Sequence, residues 1–506
     1  MNAKDSRILQ ERKAQIEARL HPGYEPQSTR PVIGRTSTRF EVSRRVQAVH
    51  CGGLAPIHAM VGSIDLVAAI DAHVHVFKRH WPYFESDHVL NLAYNLLAGG
   101  RCIEDLEHLR NDAAYLDMLG AQRIPDPTTA GDFCRRPGER QIEGLQEAIN
   151  TSRLEVWKRQ RKVSKARATI DLDGTIAPIW GECKEGADFS YKGDYGYAPL
   201  VVSLAETGEI LYVRNRPGNR PSHDGCVPYI DRAAQLVRRG GFRAVRLRGD
   251  TDFSLTAHFD RWTDDGVEFV FGMDAHRSLV AHAEALGEAC WVPLKRPRKR
   301  PRPKTRPRRR PENVKDKVVE ARRFKKLRLD CEHVTEVEYT PTKAKRTYRL
   351  VILRKNISVE QGENRLFDEI RYFFYITNIP ARALPTRKVV QEANARCNQE
   401  NLIEQLKNGV GAMRMPTNTL ESNWTYMVIA CLAWNLKAWS GLLHPDVRVG
   451  RAILRMKFST YVAKLMHVVC QVLNRARGVV LRVLNTSRWA RAAMELHDHA
   501  RRRCWG

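Results

Sequence analysis

The sequence predicts an α/β fold with helical N- and C-terminal regions and a β-rich insertion in its core. Apolar residues recur at three- and four-residue spacing over residues 1–165, which is typical of amphipathic helices. From residue 166 onward, short β-prone runs alternate with helical runs, the pattern of an α/β layer architecture. Strand-like runs dominate residues 281–384, and helical patterning returns after Pro385.

The N-terminal region, residues 1–165, is predicted to be helical over residues 62–70, 87–97, 103–109 and 140–159. Glycine and proline turn signals separate these segments. Four arginines give the early part of the region local positive charge: Arg35, Arg39, Arg44 and Arg45. The region is therefore expected either to bind nucleic acid or to serve in helical packing or dimerisation.

The first part of the core, residues 166–280, is predicted to contain seven consecutive elements. A strand over residues 168–175 is followed by two strands within residues 197–219, which a turn at residues 206–209 joins. A helix (224–239), a strand (242–248), a helix (254–264) with Ser254 as its N-cap and a strand (267–273) come next. This order predicts a sheet with an antiparallel front and a parallel back.

The insertion, residues 281–384, is predicted to contain strands over residues 334–339, 347–355 and 371–377. It also holds a basic run, residues 295–310, in which eleven of sixteen residues are Lys or Arg. Such a run is too charged to enter a core, so it either contacts a nucleic-acid backbone or forms a solvated linker. Trp291, just before the run, either stacks on an unpaired base or packs in a core.

The second part of the core, residues 385–445, is predicted to begin with one long helix over residues 386–408, which Gly409 ends. The C-terminal region, residues 446–506, is expected to be helical and basic.

Composition limits the classes of function. Hydrophobic residues make up 43% of the 506 positions and charged residues 28%, which excludes a wholly disordered chain. Lys and Arg total 84 against 57 Asp and Glu, and a net charge of +27 favours nucleic acid as partner before an anionic membrane surface. The longest apolar run contains Asn435 and Lys437, which argues against a spanning helix. Eleven scattered cysteines without a CxxC pair predict reduced thiols in a cytosolic compartment.

Three acidic residues occupy positions suited to chemistry. Asp173 ends the first predicted strand, Asp250 follows the fourth, and Glu400 lies in the long helix. At 100° per residue, Arg396, Glu400 and Lys407 fall within about 40° of one another on that helix. Carboxylates bind Mg²⁺, and two divalent ions can stabilise both the attacking and the leaving oxygen of a phosphodiester reaction.

Each acid also has a structural explanation, because Asp at a strand end is often a turn former or helix cap and Glu in a helix is often merely solvated. Two neighbouring carboxylates compete for the same roles. Asp171 shares a strand face with Asp173 by alternation, and Asp252 lies two residues after Asp250. The position directly before Gly174 favours Asp173.

These blocks together resemble bacterial insertion-sequence DDE transposases, which have a ribonuclease-H-like catalytic core interrupted by a β-rich insertion. Asp173-Gly174-Thr175 is similar to the first-aspartate motif, residues 216–219 to the block after the hairpin, and residues 250–253 to the second-aspartate motif. Arg396, Glu400 and Lys407 match the signature Y-x2-R-x3-E-x6-K, although Ala393 stands at its tyrosine position. The similarity is greatest to insertion sequence family 1380, in DDE transposase group 1.

The resemblance implies a function and a site. Asp173, Asp250 and Glu400 would bind two Mg²⁺ ions, for which Mn²⁺ can substitute, and Arg396 and Lys407 would contact DNA phosphates. The enzyme would cleave double-stranded DNA at terminal inverted repeats and transfer the 3′-hydroxyl into target DNA. Residues expected to contact DNA in the basic run are Lys295, Arg296, Arg298, Lys299, Arg300 and Arg302.

The resemblance also implies a setting. Two element ends must be brought together, so a homodimer is expected, and the N-terminal region is a candidate for recognising those ends. The resemblance further implies that the protein is bacterial, cytoplasmic and associated with the nucleoid. Two alternatives remain open: a ribonuclease-H-like nuclease or resolvase without strand transfer, and an inactive transposase-derived DNA-binding protein.

Overall fold

The computed structural model describes residues 3–20, 38, 46–80, 82–181, 183–190, 192–294, 332–357, 369–476, 478–484 and 487–504. Its helices are α1 Ala3–Leu20, α2 Leu54–Ser63, α3 Leu66–His73, α4 Glu85–Ala98, α5 Leu106–Arg110, α6 Ala113–Leu119, α7 Pro127–Arg135, α8 Glu139–Arg159, α9 Val227–Arg239, α10 Phe259–Asp264, α11 Arg277–Glu284, α12 Thr386–Asn394, α13 Cys397–Glu404, α14 Leu420–Leu443, α15 Val447–Arg455, α16 Phe458–Tyr461 and α17 Arg488–Cys504. Its strands are β1 Gln47–Val49, β2 Arg167–Gly174, β3 Ala177–Pro178, β4 Asp188–Phe189, β5 Tyr195–Tyr197, β6 Leu200–Leu204, β7 Glu209–Arg214, β8 Ala244–Gly249, β9 Val267–Met273, β10 Val292–Pro293, β11 Glu332–Tyr339, β12 Tyr348–Asn356, β13 Ile370–Thr377, β14 Cys470–Arg475 and β15 Gly478–Val483.

Within the described residues, the central sheet has nine strands in the order β10-β11-β12-β13-β9-β8-β2-β6-β7. The hairpin β6–β7 adds to β2 in antiparallel fashion, while β8 and β9 run parallel to β2 on its other side. The expected antiparallel front and parallel back are therefore present. The insertion strands do not form a sheet of their own: β13 pairs with β9 and extends the core sheet.

A buried acid joins the hairpin to the helical layer. The carboxylate of Glu209, the first residue of β7, accepts hydrogen bonds from Arg153 at 3.2 Å, Trp157 at 2.9 Å and Trp439 at 2.7 Å. Arg153 and Glu209 have fully buried side chains. Because an unpaired buried charge is costly, this cluster fixes how α8 and α14 lie on the sheet.

Helix α14 is long and apolar enough to cross a membrane by length and composition, but its apolar window is completely buried inside the protein. It packs against α4, α8, α15 and β7. The amine of Lys437, within this helix, donates to the carbonyl oxygen of Leu454 at 3.0 Å, and burial lowers its pKa to about 7. The described part of α14 is thus a core helix.

The expectation of an entirely helical C-terminal region is wrong. Strands β14 and β15 form a hairpin, and β1 from the N-terminal region completes a three-stranded sheet with them. The valine-rich runs on either side of the turn explain the hairpin, since β-branched residues favour strands. Gly478, which begins β15, has a positive φ of 118° that other residues rarely adopt.

Three predicted helices differ from the observed ones. The segment 62–70 is interrupted at Ile64 and Asp65, where Asp65 adopts a left-handed φ of 54°. The segment 254–264 is α-helical only from Phe259, because tight turns occupy residues 251–258, so Ser254 is not its N-cap. The long helix over 386–408 breaks between α12 and α13 and ends in a π-helical turn, Gln405–Gly409.

Candidate active site

Two aspartates lie at the carboxyl ends of adjacent parallel strands. Asp173 is the penultimate residue of β2, and Asp250 directly follows β8. The register pairs Asp171 with Arg248, so two residues further along each strand Asp173 and Asp250 come level with one another. Side chains at the same end of neighbouring parallel strands converge, which explains why these two carboxylates share one site.

Glu400, the third acid, lies near the two aspartates because the predicted long helix breaks before it. Around this break the backbone tightens, and the amide of Arg396 donates to the carbonyl oxygen of Ala393 at 3.2 Å. Arg396 then precedes α13, and Glu400 lies within it. The predicted common face of one continuous helix is therefore replaced by a turn followed by a short helix.

Arg396 contacts all three predicted acids. Its Nη1 donates a hydrogen bond to Asp173 Oδ2 at 3.1 Å and lies 3.6 Å from Asp250 Oδ2. Its Nη2 lies 4.0 Å from Glu400 Oε1. The side chains of Asp173 and Glu400 are 13% and 61% exposed, so Glu400 is the outer member of the group. One guanidinium thus sits among three carboxylates.

Burial and Arg396 have opposite effects on the pKa values of Asp173 and Asp250. Burial raises the pKa of Asp173 to about 7; the guanidinium of Arg396 opposes this shift, and the nearby carboxylates of Asp250 and Glu400 reinforce it. Burial also raises the pKa of Asp250, again against the effect of Arg396. Crowded carboxylates of this kind favour a bound cation.

Asp171 has a different environment. Its two oxygens accept from Arg248 Nε at 2.6 Å and Nη2 at 2.8 Å, and both side chains are buried. Arg248 Nη1 also donates to the backbone oxygen of Glu392 at 3.1 Å. This bidentate pair engages both oxygens of Asp171 and ties β2 and β8 to α12. No sequence motif singles out Arg248, although its position two residues before Asp250 places both on one strand face.

Lys407 lies on the π-helical turn and points back toward β2. Its amine donates to the carbonyl oxygen of Ile176 at 2.6 Å, and burial lowers its pKa. Together with Thr175, Asp252 and Arg216 it lines a cleft of about 630 Å³ next to the acids. The structure therefore brings Asp173, Asp250, Glu400, Arg396 and Lys407 together, as the sequence predicts.

The remaining predicted residues fall into two groups, those outside the described residues and one buried tryptophan. The basic run and its predicted DNA contacts, Lys295, Arg296, Arg298, Lys299, Arg300 and Arg302, fall outside the described residues. Arg35, Arg39, Arg44 and Arg45 fall outside them as well. Trp291 is only 7% exposed, and the guanidinium of Arg354 covers its ring at 4.5 Å. Trp291 thus packs in the interior instead of presenting a free face to a base.

Comparison with known proteins identifies the family. A family model described as transposase DDE domain group 1 matches residues 49–502. The chain belongs to this family. The resemblance to DDE transposases is thereby confirmed over most of the chain.

Two further comparisons accompany the family match. No curated protein matches this transposase. Among solved structures, the cryo-EM synaptic complex of piggyBac transposase with hairpin DNA is similar over 82% of each chain, at 11% identity and a TM-score of 0.36.

The donor set of this transposase suits a hard divalent cation, because all three acids offer carboxylate oxygens. Asp173 and Asp250 already lie within 4 Å of one guanidinium nitrogen, so a positive charge fits between them. Among the described residues, no three His, Cys, Asp or Glu side chains are close enough to bind a metal ion together. The 61% exposed Glu400 is the acid farthest from the Arg396 guanidinium.

Proposed function

We propose that this chain cleaves DNA at the terminal inverted repeats of an insertion sequence and joins the freed 3′-hydroxyl to target DNA. The observation that carries the proposal is the convergence of Asp173, Asp250 and Glu400 on Arg396, in a chain of a DDE transposase family. Acids at adjacent strand ends and on a facing helix are the arrangement that phosphoryl transfer at a pair of metal ions needs.

The core that holds these acids is proposed to be ribonuclease-H-like. Support comes from its five-strand unit, in which the hairpin β6–β7 lies on one side of β2 and the parallel strands β8 and β9 on the other. The insertion between β9 and α12 then extends this unit without separating Asp250 from Glu400.

Asp173, Asp250 and Glu400 are proposed to hold two Mg²⁺ ions, with Mn²⁺ as a substitute. When bound, such ions lower the pKa of water and neutralise charge on the phosphodiester. The protein's own contribution is positioning: the Asp171–Arg248 pair fixes β2 against β8, and the bond from Lys407 to Ile176 fixes the turn after β2. Cleavage by water leaves a 3′-hydroxyl, and attack by that hydroxyl on a second phosphodiester breaks one P–O bond as another forms.

DNA phosphates are proposed to be bound by Arg396 and Lys407 beside the acids, and by the basic run of residues 295–310. A surplus of 27 positive charges supports backbone contact of this kind. Because two element ends must be joined in one event, the working form is proposed to be a homodimer. The N-terminal region is proposed to recognise the inverted repeats.

The test is one reaction with an isosteric control. Purified protein, Mg²⁺, a labelled donor carrying both ends of the flanking element and a plasmid target are incubated, in parallel with Glu400→Gln. Wild type is expected to give joined products, and Glu400→Gln is expected to bind the donor without cutting it. Cleavage without joining in the wild type would establish a nuclease or resolvase instead. Binding with neither reaction would establish a DNA-binding descendant.

A further inference from the structure

An unusually exposed tryptophan lies close to the candidate active site. Trp180 follows β3 and is 97% exposed, the highest exposure of any large apolar side chain among the described residues. The other tryptophan that the sequence analysis considered for base stacking, Trp291, is buried. Covering a large, water-exposed aromatic ring with a flat partner lowers the free energy of the system. The exposure of Trp180 therefore indicates a binding partner.

Trp180 lies two residues after the end of β3, in a small three-stranded sheet, β3-β5-β4, that begins three residues after Gly174. The ladder continues past Pro178, because the amide of Ile179 donates to the carbonyl oxygen of Tyr195 at 3.1 Å. Alternate residues of a strand share one face, so Trp180 lies on the same face as Pro178. Pro178 lines the 630 Å³ cleft, and two residues of extended chain span about 7 Å.

The cleft beside Trp180 is cationic. Its lining includes the basic residues Lys192, Arg220 and Lys407 and the hydroxyl group of Ser222. Among the described residues, only two acidic ones line it, Asp194 and Asp252. Its volume lies within the range of sites that enclose a small ligand. A positively charged groove next to an exposed aromatic ring is the combination that binds single-stranded nucleic acid, where phosphates enter the groove and a base stacks on the ring.

The wall of this cleft is held firmly. The buried guanidinium of Arg216 donates to the backbone oxygens of Ala198 at 2.8 Å, Ser222 at 2.9 Å and Asp224 at 2.7 Å. Gly218 lies so close to β4 and β5 that a Cβ there would come within 2.2 Å of the carbonyl oxygen of Asp188. The cleft wall and the small sheet therefore pack directly against each other.

We propose that Trp180 is a stacking platform for an unpaired base of the DNA strand whose phosphates lie in the adjacent cleft. The inference rests on the proposed function, because the DNA is placed by the acids next to the cleft. A nucleobase fits better than a protein partner, since the neighbouring cleft is lined by cationic side chains and every base offers a stacking face without a sequence requirement.

The test compares two DNA probes in EDTA, where no cleavage occurs. One probe is a blunt duplex; the other is the same duplex with a short single-stranded extension carrying 2-aminopurine. Wild type is expected to bind the extended probe more tightly and to change its 2-aminopurine fluorescence. Trp180→Ala is expected to weaken binding of the extended probe about 5- to 150-fold and to abolish the fluorescence change, whereas Trp180→Phe keeps most of both.

Phe189 provides the matched control. It is 62% exposed on the same small sheet, but it pairs with Tyr195 and so lies on the opposite face from Trp180. Phe189→Ala is expected to behave as wild type with both probes. The proposed stacking role of Trp180 would be wrong if Trp180→Ala kept its preference for the extended probe. It would also be wrong if Phe189→Ala lost as much affinity for that probe as Trp180→Ala.

Failure of this inference is distinguishable from failure of the proposed function. A wild type that binds blunt DNA and cleaves it in a Glu400-dependent way, but shows no preference for the extended probe, defeats only the role of Trp180. A wild type that neither binds nor cleaves the blunt donor defeats the proposed function itself. Because the Trp180 side chain is almost fully exposed, its replacement leaves the melting temperature unchanged, and thermal unfolding checks this.

Discussion

Arg396 donates a hydrogen bond to the carboxylate of Asp173 across 3.1 Å, although 223 positions separate the two residues in the chain. The same guanidinium lies 3.6 Å from Asp250 and 4.0 Å from Glu400. A single positive charge therefore balances three carboxylates at the candidate site. A divalent cation bound by the same carboxylates, as proposed, would compete with this guanidinium for their oxygens.

Arg396→Ala is accordingly expected to bind Mn²⁺ about tenfold more tightly than wild type in the absence of DNA, because a competing charge within 4 Å is removed. Arg396→Lys keeps the charge and should stay near wild type. Electron paramagnetic resonance of Mn²⁺ titrated into the protein measures this without any reaction. Weaker Mn²⁺ binding in Arg396→Ala would show that the arginine supports the site instead of occupying it.

The buried pair of Asp171 and Arg248 predicts a loss of stability. Asp171→Asn leaves the Arg248 guanidinium buried without its bidentate partner, which is expected to lower the free energy of unfolding by about 3–5 kcal/mol. Urea unfolding followed by circular dichroism measures the change. Asp173→Asn is the comparison, since Arg396 keeps Asp250 and Glu400 as partners.

The same pair distinguishes the two candidate ligands on β2. If Asp171 acts only as support, Asp171→Asn should retain Mg²⁺-dependent cleavage at a temperature where it is folded. If Asp171→Asn is folded but does not cleave, while Asp173→Asn cleaves, then Asp171 is the ligand and Asp173 is the supporting residue.

Much of the sheet is predictable from sequence because its signals are local. The strand over 267–273 and the hairpin turn before Glu209 occur where β-prone runs and turn residues place them. The C-terminal hairpin carries a similar local signal in its valines, and the expected helix is absent there because these β-branched residues favour strands.

The site is less predictable because it depends on long-range contacts. No Gly or Pro marks the break before α13, so the helical pattern runs through it, and Arg396 faces acids from distant strands only after folding. The partnership of Asp171 with Arg248 depends on the register of two parallel strands, which the sequence does not reveal. The three acids themselves were predictable because each follows a recognisable strand or lies in a recognisable helix.

The second acid is expected to be Asp250 and not Asp252. Asp250 lies at the end of β8 within 3.6 Å of Arg396, whereas Asp252 lines the neighbouring cleft and its amide donates to Asp250 Oδ1 at 3.1 Å. Asp250→Asn should reduce Mg²⁺-dependent cleavage about a thousandfold, because a contribution of several kcal/mol is removed. Asp252→Gly should cleave at near the wild-type rate in the same donor assay. Loss of cleavage in Asp252→Gly alone would reverse the assignment.

The basic run predicts a steep salt dependence of DNA binding. Replacing Lys295, Arg296, Arg298, Lys299, Arg300 and Arg302 by Gln should lower affinity and flatten the plot of log K against log salt by about 0.9 for each phosphate that is no longer neutralised. Anisotropy titrations at several salt concentrations measure the slope. Neutralising Lys4, Arg7, Arg12 and Lys13 on α1 is the control. If the slope of log K against log salt is unchanged in the basic-run variant, the run is a linker. If the slope changes equally in the basic-run and α1 variants, DNA binding depends only on general surface charge.

The raised pKa of Asp173 predicts how stability changes with pH. Burial raises this pKa from 3.8 to about 7, so between these values the folded protein keeps a proton that the unfolded chain has released. The folded state then binds more protons, and its free energy of unfolding falls as pH rises through this window and stays low above it. Asp173→Asn cannot ionise and escapes this fall. Its stability relative to wild type should therefore increase between pH 5 and pH 8, by about 2–4 kcal/mol.

Urea unfolding in EDTA at several pH values measures this difference. Leu172→Ala on the same strand is the control, since it creates a cavity without an ionisable group and its cost should not depend on pH. A difference between Asp173→Asn and wild type that is flat across this range, or that grows as pH falls, would mean that Arg396 outweighs burial and holds Asp173 ionised. The carboxylate would then be charged before any cation binds, and release of a proton would not accompany metal binding at pH 7.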